Sequence, residues 1–91
     1  MAIISGTINV ATAGTRVQAA HKGTIRTVLF KARAANTGKV YLGGSDVSSS
    51  AGMALAPGEA IPVNLKDPIS TAQFWADADT NNDKVDFLGT E

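Results

Sequence analysis

Apolar and polar residues alternate with a period of two along most of the chain. Successive side chains of a β-strand point to opposite faces, so this alternation predicts half-buried strands. No window of eleven residues shows the 3.6-residue period of an amphipathic helix over a useful length. The alternating segments lie at residues 4–10, 16–19, 25–34, 39–42, 53–55, 61–65, 72–77 and 84–87.

Three of these segments carry additional information. In the segment 25–34, Leu29 interrupts an otherwise polar face, which predicts that the middle of this strand is covered on both faces. Pro62 lies within an alternating run, and because proline has no N–H to donate, this strand is predicted at a sheet edge. Met53 and Leu55 are two residues apart and are predicted to return to the core.

Residues typical of turns separate the strands. Ala56-Pro57-Gly58-Glu59 has proline and glycine at the two central positions of a type II turn. Asn36-Thr37-Gly38 provides residues that tolerate positive φ in a tight turn, and Lys66-Asp67-Pro68 is a further predicted turn. The segment Ser45 to Gly52 is predicted to be a small-residue loop with too few apolar positions to pack.

The pattern predicts an all-β protein, a compact β-sandwich or jelly-roll-like barrel of seven or eight short strands. The 91 residues form one predicted β domain, residues 1–91. A chain of this length has a thin core. It contains no cysteine, which excludes disulfides, thiolate metal sites and cysteine nucleophiles.

Charge is balanced overall but unevenly distributed along the chain. Eight basic and eight acidic residues cancel, so we expect neither a nucleic-acid partner nor an anionic membrane surface. Up to Ser45 every charged residue is basic, and from Asp46 onward acidic residues dominate. Two interpretations stay open: the halves neutralise each other across strands, or opposite patches align copies of the chain.

Membrane and export signals are not apparent in the pattern. No apolar run approaches the ~20 residues that a membrane-spanning helix needs. The first residues carry no basic segment followed by a sustained apolar stretch, so they do not predict a signal peptide.

The residue types needed for catalysis are sparse. His21 is the only histidine, and it lies in a predicted loop beside Lys22, which is typical of a solvated side chain. Gly38-Lys39 resembles the end of a phosphate-binding loop, but Val40 occupies the position of the magnesium-binding hydroxyl. The sequence therefore predicts no enzymatic activity and no cofactor.

One acidic segment partly matches a calcium-binding loop. Calcium prefers oxygen ligands at alternating positions. Asn82 occupies the position where such a loop needs glycine, and Leu88 the position of the closing glutamate, so a polar turn that caps its own backbone is the competing interpretation. The candidate ligands are Asp77, Asp79, Asn81 and Asp83.

Two aromatic residues are candidate contact residues. Trp75 and Tyr41 could each anchor an interface, stack on a sugar, or close over the small core with the polar tip in water. The alternation alone leaves all three roles open.

Several segments together resemble small virion proteins encoded by tailed bacteriophages and prophages. The resemblance extends from about Gly6 to Leu88 and contains no catalytic motif. The segments that carry it are Asn36 to Ser50 (NTGKVYLGGSDVSSS), Leu55-Ala56-Pro57-Gly58-Glu59, Asp77-Ala78-Asp79-Thr80 and Lys84-Val85-Asp86-Phe87.

The resemblance implies a head decoration or auxiliary capsid protein. Such a protein would be made in the bacterial host cytoplasm and would bind the head exterior of the virion as a homo-oligomer, in particular a trimer. Its partners would be its own copies and the major capsid protein, and it would stabilise the expanded shell by mass action. The expected contact residues are Ile3, Ile4, Thr7, Ser45, Asp46, Ser48, Ser49 and Trp75.

Two alternatives accompany this expectation. The first is a carbohydrate-binding β-sandwich module in which Trp75 and Tyr41 stack on sugar rings near Asp77 and Asp79. The second is a tail or connector component of the virion.

Overall fold

A computed structural model describes residues 3–91 and shows two four-stranded antiparallel sheets packed as a sandwich. The predicted all-β sandwich is confirmed, and the sheets do not close into a barrel. Within the described residues there is no α-helix, and the one helical element is a 3₁₀ turn at Thr71–Gln73. The strands are β1 (Ile3–Val10), β2 (Val17–Gln18), β3 (Thr24–Ala32), β4 (Val40–Gly43), β5 (Met53–Leu55), β6 (Ala60–Ser70), β7 (Trp75–Ala78) and β8 (Asp83–Thr90).

Strands that are distant in sequence are neighbours in both sheets. The first sheet has the order β1-β8-β3-β6 and the second the order β2-β7-β4-β5. The first strand pairs with the last over its whole length, from Ile3 opposite Thr90 to Val10 opposite Asp83.

The core lies between the two sheets and is built from the alternating residues. In β1, Ile4, Ile8 and Val10 are buried while the residues between them are exposed or half-buried, as the sequence predicts. Three aromatic rings form its centre. The Phe30 ring lies 4.7 Å from that of Phe74 and 5.8 Å from that of Phe87, measured between centroids.

The prediction that Pro62 lies in an edge strand is confirmed, because β6 is the outermost strand of the first sheet. The Ala32 amide donates to the Glu59 carbonyl (2.8 Å). Hydrogen-bonded and non-hydrogen-bonded pairs alternate in an antiparallel ladder, so the Leu29–Pro62 pair is non-hydrogen-bonded. The nitrogen of Pro62 therefore faces the open edge, where a missing donor leaves no ladder bond unmade.

The turn predicted at Lys66-Asp67-Pro68 is wrong, because β6 continues through these residues to Ser70. Ile25 pairs with Ile69 and Thr27 with Asn64, so several residues of β6 stand opposite one residue of β3. The turn-forming residues produce a bulge in the strand instead of ending it.

The two other predicted turns differ in their outcome. At Pro57-Gly58, Gly58 has φ +86° and the Glu59 amide donates to the Ala56 carbonyl (2.9 Å), which confirms the type II turn. No residue of Asn36-Thr37-Gly38 has positive φ, so that prediction is wrong. This loop is held by distant partners.

Those partners are Lys84 and Asp83. The Asn36 side chain donates to the Lys84 carbonyl (2.7 Å) and accepts from the Lys84 amide (2.9 Å). The Asp83 carboxylate accepts from the amides of Thr37 (3.0 Å) and Gly38 (2.8 Å). The Asn36 amide and the Asp83 carboxylate thus hold the loop in place by hydrogen bonds, without the positive-φ turn that the local sequence suggested.

The small-residue loop between β4 and β5 has an apolar anchor that the sequence analysis missed. Val47 is 1% exposed and packs against Gly52, where an added Cβ would lie 2.7 Å from Val47 Cγ2. The prediction for the following strand holds for Leu55, which is buried, and is wrong for Met53, which is 52% exposed at the sheet edge.

Candidate functional site

The outer face of the first sheet carries a continuous set of apolar side chains. Leu29 lies opposite Leu88 on one side and Pro62 on the other, so these three residues form one row across the sheet. Ile3 lies in the next row, two positions along β1 from the residue opposite Leu88. Ile3 is 75% exposed, Leu88 54% and Leu29 44%. We call Ile3, Leu29, Pro62 and Leu88 the apolar face. The prediction that Leu29 is covered is therefore wrong within this chain, because its side chain faces solvent.

The apolar face contains a shallow cavity of about 210 Å³. Its lining is almost entirely apolar, although Thr27 and Thr90 border it on the next row. On the solvent side of an antiparallel sheet, polar residues are the ordinary pattern. An apolar row at this position is therefore a candidate contact surface.

A charged cluster lies on the neighbouring row of the same face. The Asp86 carboxylate accepts from Arg33 Nε (2.8 Å), from Arg33 Nη2 (3.0 Å) and from the Thr7 hydroxyl (2.6 Å). These bonds join β1 and β8 to the residue that follows β3. Lys31 pairs with Asp86 in the ladder and adds a further positive charge.

The environment of Asp86 favours its charged form. Hydrogen bonding from Arg33 is the largest influence and lowers the pKa of Asp86 below its ordinary value, while partial burial opposes this shift. Because Arg33 belongs to the basic half of the chain and Asp86 to the acidic half, this pair is an instance of neutralisation across strands.

The outer face of the second sheet carries the two candidate aromatic residues. Tyr41 lies opposite Asp77, and Trp75 lies opposite both Gly43 and Gln18. Tyr41 and Trp75 are therefore diagonal neighbours on adjacent strands, and both are half-buried. The Tyr41 hydroxyl donates to Asp79 Oδ2 (2.8 Å), and this hydrogen bond raises the pKa of Tyr41.

The four oxygen-bearing residues considered as calcium ligands have separate structural roles. Asp77 is 4% exposed and accepts from the amides of Gly14 (3.1 Å) and Ala78 (2.7 Å). Asn81 accepts from the Ala13 amide (2.8 Å). Asp79 and Asp83 accept from Tyr41 and from the 36–38 loop, as described above.

These oxygens therefore bind donors of the protein itself. Within residues 3–91, no three His, Cys, Asp or Glu residues are grouped so that they could hold a metal ion. Only residues 79–82 form a polar turn, in which Asn82 adopts the left-handed conformation (φ 66°). Asp77 and Asp83 lie in β7 and β8, and apart from the bond from the Ala78 amide to Asp77 these side chains bind other segments, so the predicted capping of their own turn is wrong.

The expected contact residues do not form one surface. Ile3 and Thr7 lie on the outer face of the first sheet, whereas Ile4 is 8% exposed and packs in the core, so Ile4 is not available for a contact. The others lie at the opposite sheet: Trp75 pairs with Gly43, where the loop that contains the serines begins. In that loop Ser45, Asp46 and Ser49 are exposed and Ser48 is half-buried.

One polar pair was not anticipated from the sequence. His21 Nδ1 lies 2.6 Å from the Ser70 hydroxyl oxygen, and Ser70 Oγ also accepts from the Ala72 amide (3.1 Å). Ser70 therefore caps the 3₁₀ turn and ties it to the loop before β3. The two partners are 49 positions apart in the sequence, which explains why local patterns gave no signal.

No helix in the described part of the chain is long and apolar enough to cross a membrane. Comparisons of the chain with protein families, with curated proteins and with solved structures gave no match.

Proposed function

We propose that this chain is a non-enzymatic structural protein of a tailed-bacteriophage virion that binds the head exterior. The observation that carries the proposal is the difference between the two outer faces of the sandwich. The first sheet exposes an apolar row, and the second exposes aromatic and small polar residues beside a tightly packed loop. A decoration protein that binds as a homo-oligomer needs two such surfaces, one for its own copies and one for the shell.

The proposed shell contact is the end of the second sheet. It comprises Trp75 and the loop residues Ser45, Asp46 and Ser49. Val47 is buried and anchors this loop, so the exposed side chains are presented by a fixed backbone. Small side chains allow close approach of a partner backbone, and the indole supplies a large apolar contact.

Binding alone would account for the stabilisation of the expanded shell. A protein that binds only the expanded shell stabilises that state by about 2.7 kcal/mol when its free concentration is a hundred times its Kd. Neither a bound metal nor a reaction is required for this effect.

Co-sedimentation with purified expanded and unexpanded heads tests the proposal. We expect the chain to pellet with expanded heads only, and the double substitution Ser45→Glu with Ser49→Glu to weaken binding at least about tenfold. The control is the double substitution Thr12→Glu with Thr15→Glu, which places the same two charges in an exposed loop elsewhere. Failure of the unmodified chain to pellet with either form would contradict the proposal.

A carbohydrate-binding module is the second candidate function. The observation that favours it is the position of Tyr41 and Trp75 on one face, with Asp79 hydrogen-bonded to Tyr41. Two aromatic rings beside a carboxylate are suited to stacking on a sugar and accepting hydrogen bonds from its hydroxyl groups. Titration with bacterial cell-wall glycans should then quench the fluorescence of Trp75, the only tryptophan, and no response at millimolar sugar would contradict it.

A further inference from the structure

We propose that the apolar face of the first sheet pairs with the same face of a second copy about a two-fold axis. This deepens the contact between copies and rests on the proposed function for its biological role. The contact itself is a property of the isolated chain, so it can be tested without a capsid.

The register of the first sheet is self-complementary. Leu29 pairs with Leu88, Lys31 with Asp86, and Thr27 with Thr90 across β3 and β8. Consider a two-fold axis that lies in the plane of contact, parallel to β3 and β8 and midway between them. This axis places β8 of the second copy over β3 of the first, so each residue faces the partner copy of the residue it pairs with. Leu29 of one copy then faces Leu88 of the second, and the reverse contact follows by symmetry.

Within the paired residues 27–31 and 86–90, the same axis matches opposite charges. It places Lys31 of one copy over Asp86 of the second copy, and this contact occurs twice. In the described chain the Lys31 ammonium makes no hydrogen bond or close ion pair of its own. Asp86 accepts three hydrogen bonds, and a carboxylate offers about four acceptor positions, so one position on Oδ2 can receive a further donor.

The apolar row supplies the attraction at the centre. Leu29 and Leu88 from both copies would form a four-leucine cluster that fills the shallow cavity of each sheet. Two sheets packed face to face in this way resemble the interior of a β-sandwich, with strands aligned to within about 30°. The twist separates the corners, so Ile3 and Pro62 lie at the margin.

The small area of the outer face of the first sheet limits the affinity of this contact. Four strands about 4.8 Å apart and three rows of outward residues cover roughly 20 by 20 Å, or about 400 Å², which is well below the ~800 Å² per partner of a standard interface. We therefore infer a weak dimer with a Kd at the weak end of the affinity scale, which forms as concentration rises from about 10 µM to about 1 mM. A three-fold assembly would need two different surfaces in contact, whereas this face matches itself.

Sedimentation equilibrium over that concentration range tests the inference. We expect a monomer–dimer equilibrium, and we expect Leu88→Ser to weaken it at least about tenfold because each dimer loses two buried leucines. Met53→Ser is the matched control, because Met53 is 52% exposed and Leu88 54%, and Met53 lies on the other sheet. Lys31→Glu should weaken the dimer, and Lys31→Arg should preserve it.

Amide chemical shifts locate the contact. Concentration-dependent changes should be largest in residues 27–31 and 86–90 and should disappear in Leu88→Ser. A chain that stays monomeric to 1 mM, a trimer, or equal effects of Leu88→Ser and Met53→Ser would each overturn the inference. Since no capsid is used, these outcomes are independent of shell binding.

Discussion

At Gly6 the first strand passes so close to Phe87 that no larger residue fits without movement. A Cβ built on Gly6 would lie 2.6 Å from Phe87 Cζ, and the Phe87 ring is held in turn by Phe30. We expect Gly6→Ala to lower the free energy of unfolding by about 1–3 kcal/mol, because the extra methyl forces the ring away from its neighbours. Urea denaturation measures this loss.

Two further variants test whether the contact between Gly6 and Phe87 causes the loss of stability. Ser5→Ala changes the adjacent outward residue and should stay within about 0.5 kcal/mol of the unmodified chain. Combining Gly6→Ala with Phe87→Leu should recover part of the loss, because leucine lacks the ring tip that the methyl would meet. Losses that simply add would show that the contact is not the cause.

Asp83 is a buried residue whose role is to satisfy backbone donors. It is 4% exposed and binds the amides of Thr37 and Gly38. We expect Asp83→Ala to destabilise the fold by about 2–4 kcal/mol, since two hydrogen bonds to a charged acceptor are lost. Asp79→Asn is the control, and its effect should be small because Asp79 is exposed.

Thermal unfolding measures the loss of stability in Asp83→Ala. Hydrogen exchange of the Thr37 and Gly38 amides reports whether their hydrogen bonds to Asp83 are the cause. Both amides should exchange faster in Asp83→Ala, because their acceptor is gone. Unchanged protection of these amides would contradict the assigned role.

At the scale of elements, the Arg33–Asp86–Thr7 cluster joins β1, β8 and the end of β3. Hydrogen bonding from Arg33 lowers the pKa of Asp86 in the folded chain, so the folded value lies below the unfolded value of about 3.9. Its stabilising contribution is therefore fully present above the unfolded pKa and is lost as pH falls through the folded pKa. Both residues are well exposed, so we expect a small effect.

Denaturant midpoints measured from pH 7 to pH 2 test whether the stabilising contribution of Asp86 is lost as pH falls. The difference between the unmodified chain and Asp86→Asn should be constant near neutral pH and should shrink below about pH 4. Arg33→Gln should remove the same contribution, and the double variant should lose little more. A difference that persists undiminished at pH 2 would show that the carboxylate charge is not responsible.

The alternation of residues was sufficient to predict the strands and most of the inward-facing set. In the alternating segments 4–10 and 25–34 it placed Ile8, Val28 and Phe30 on the buried faces, because burial on one face follows directly from the period of two. Ile4 lies on the same buried face, although it was expected to make a contact. It failed at Lys66-Asp67-Pro68, where the pairing of β6 with β3 overrides local turn propensity.

The candidate surfaces could be predicted only in part. Leu29 gave a local signal, since an apolar residue interrupted a polar face. Its neighbours Leu88 and Pro62 come from other strands, and the pairing register that brings them together is not encoded within any short window. The same limit explains why Asp83 was considered a metal ligand and not the partner of a loop 46 residues away.

At the scale of the whole molecule, most strand pairs connect distant parts of the chain. β1 pairs with β8, β3 with both β6 and β8, and β2 with β7. Because loop-closure entropy is lost before such contacts form, we expect folding in milliseconds to seconds. Stopped-flow refolding monitored by Trp75 fluorescence measures the rate, and completion in microseconds would contradict this expectation.

The pairing of Ile3 with Thr90 has a practical consequence. Cα atoms of paired residues in an antiparallel ladder lie about 5 Å apart, so a short glycine-rich linker can join these positions and new termini can be opened in an exposed loop such as residues 11–16. Such a circular permutant would turn the strand pairing that is most distant in sequence into a hairpin. It would also move any fused cargo away from the leucine-bearing surface, to the opposite corner of the molecule.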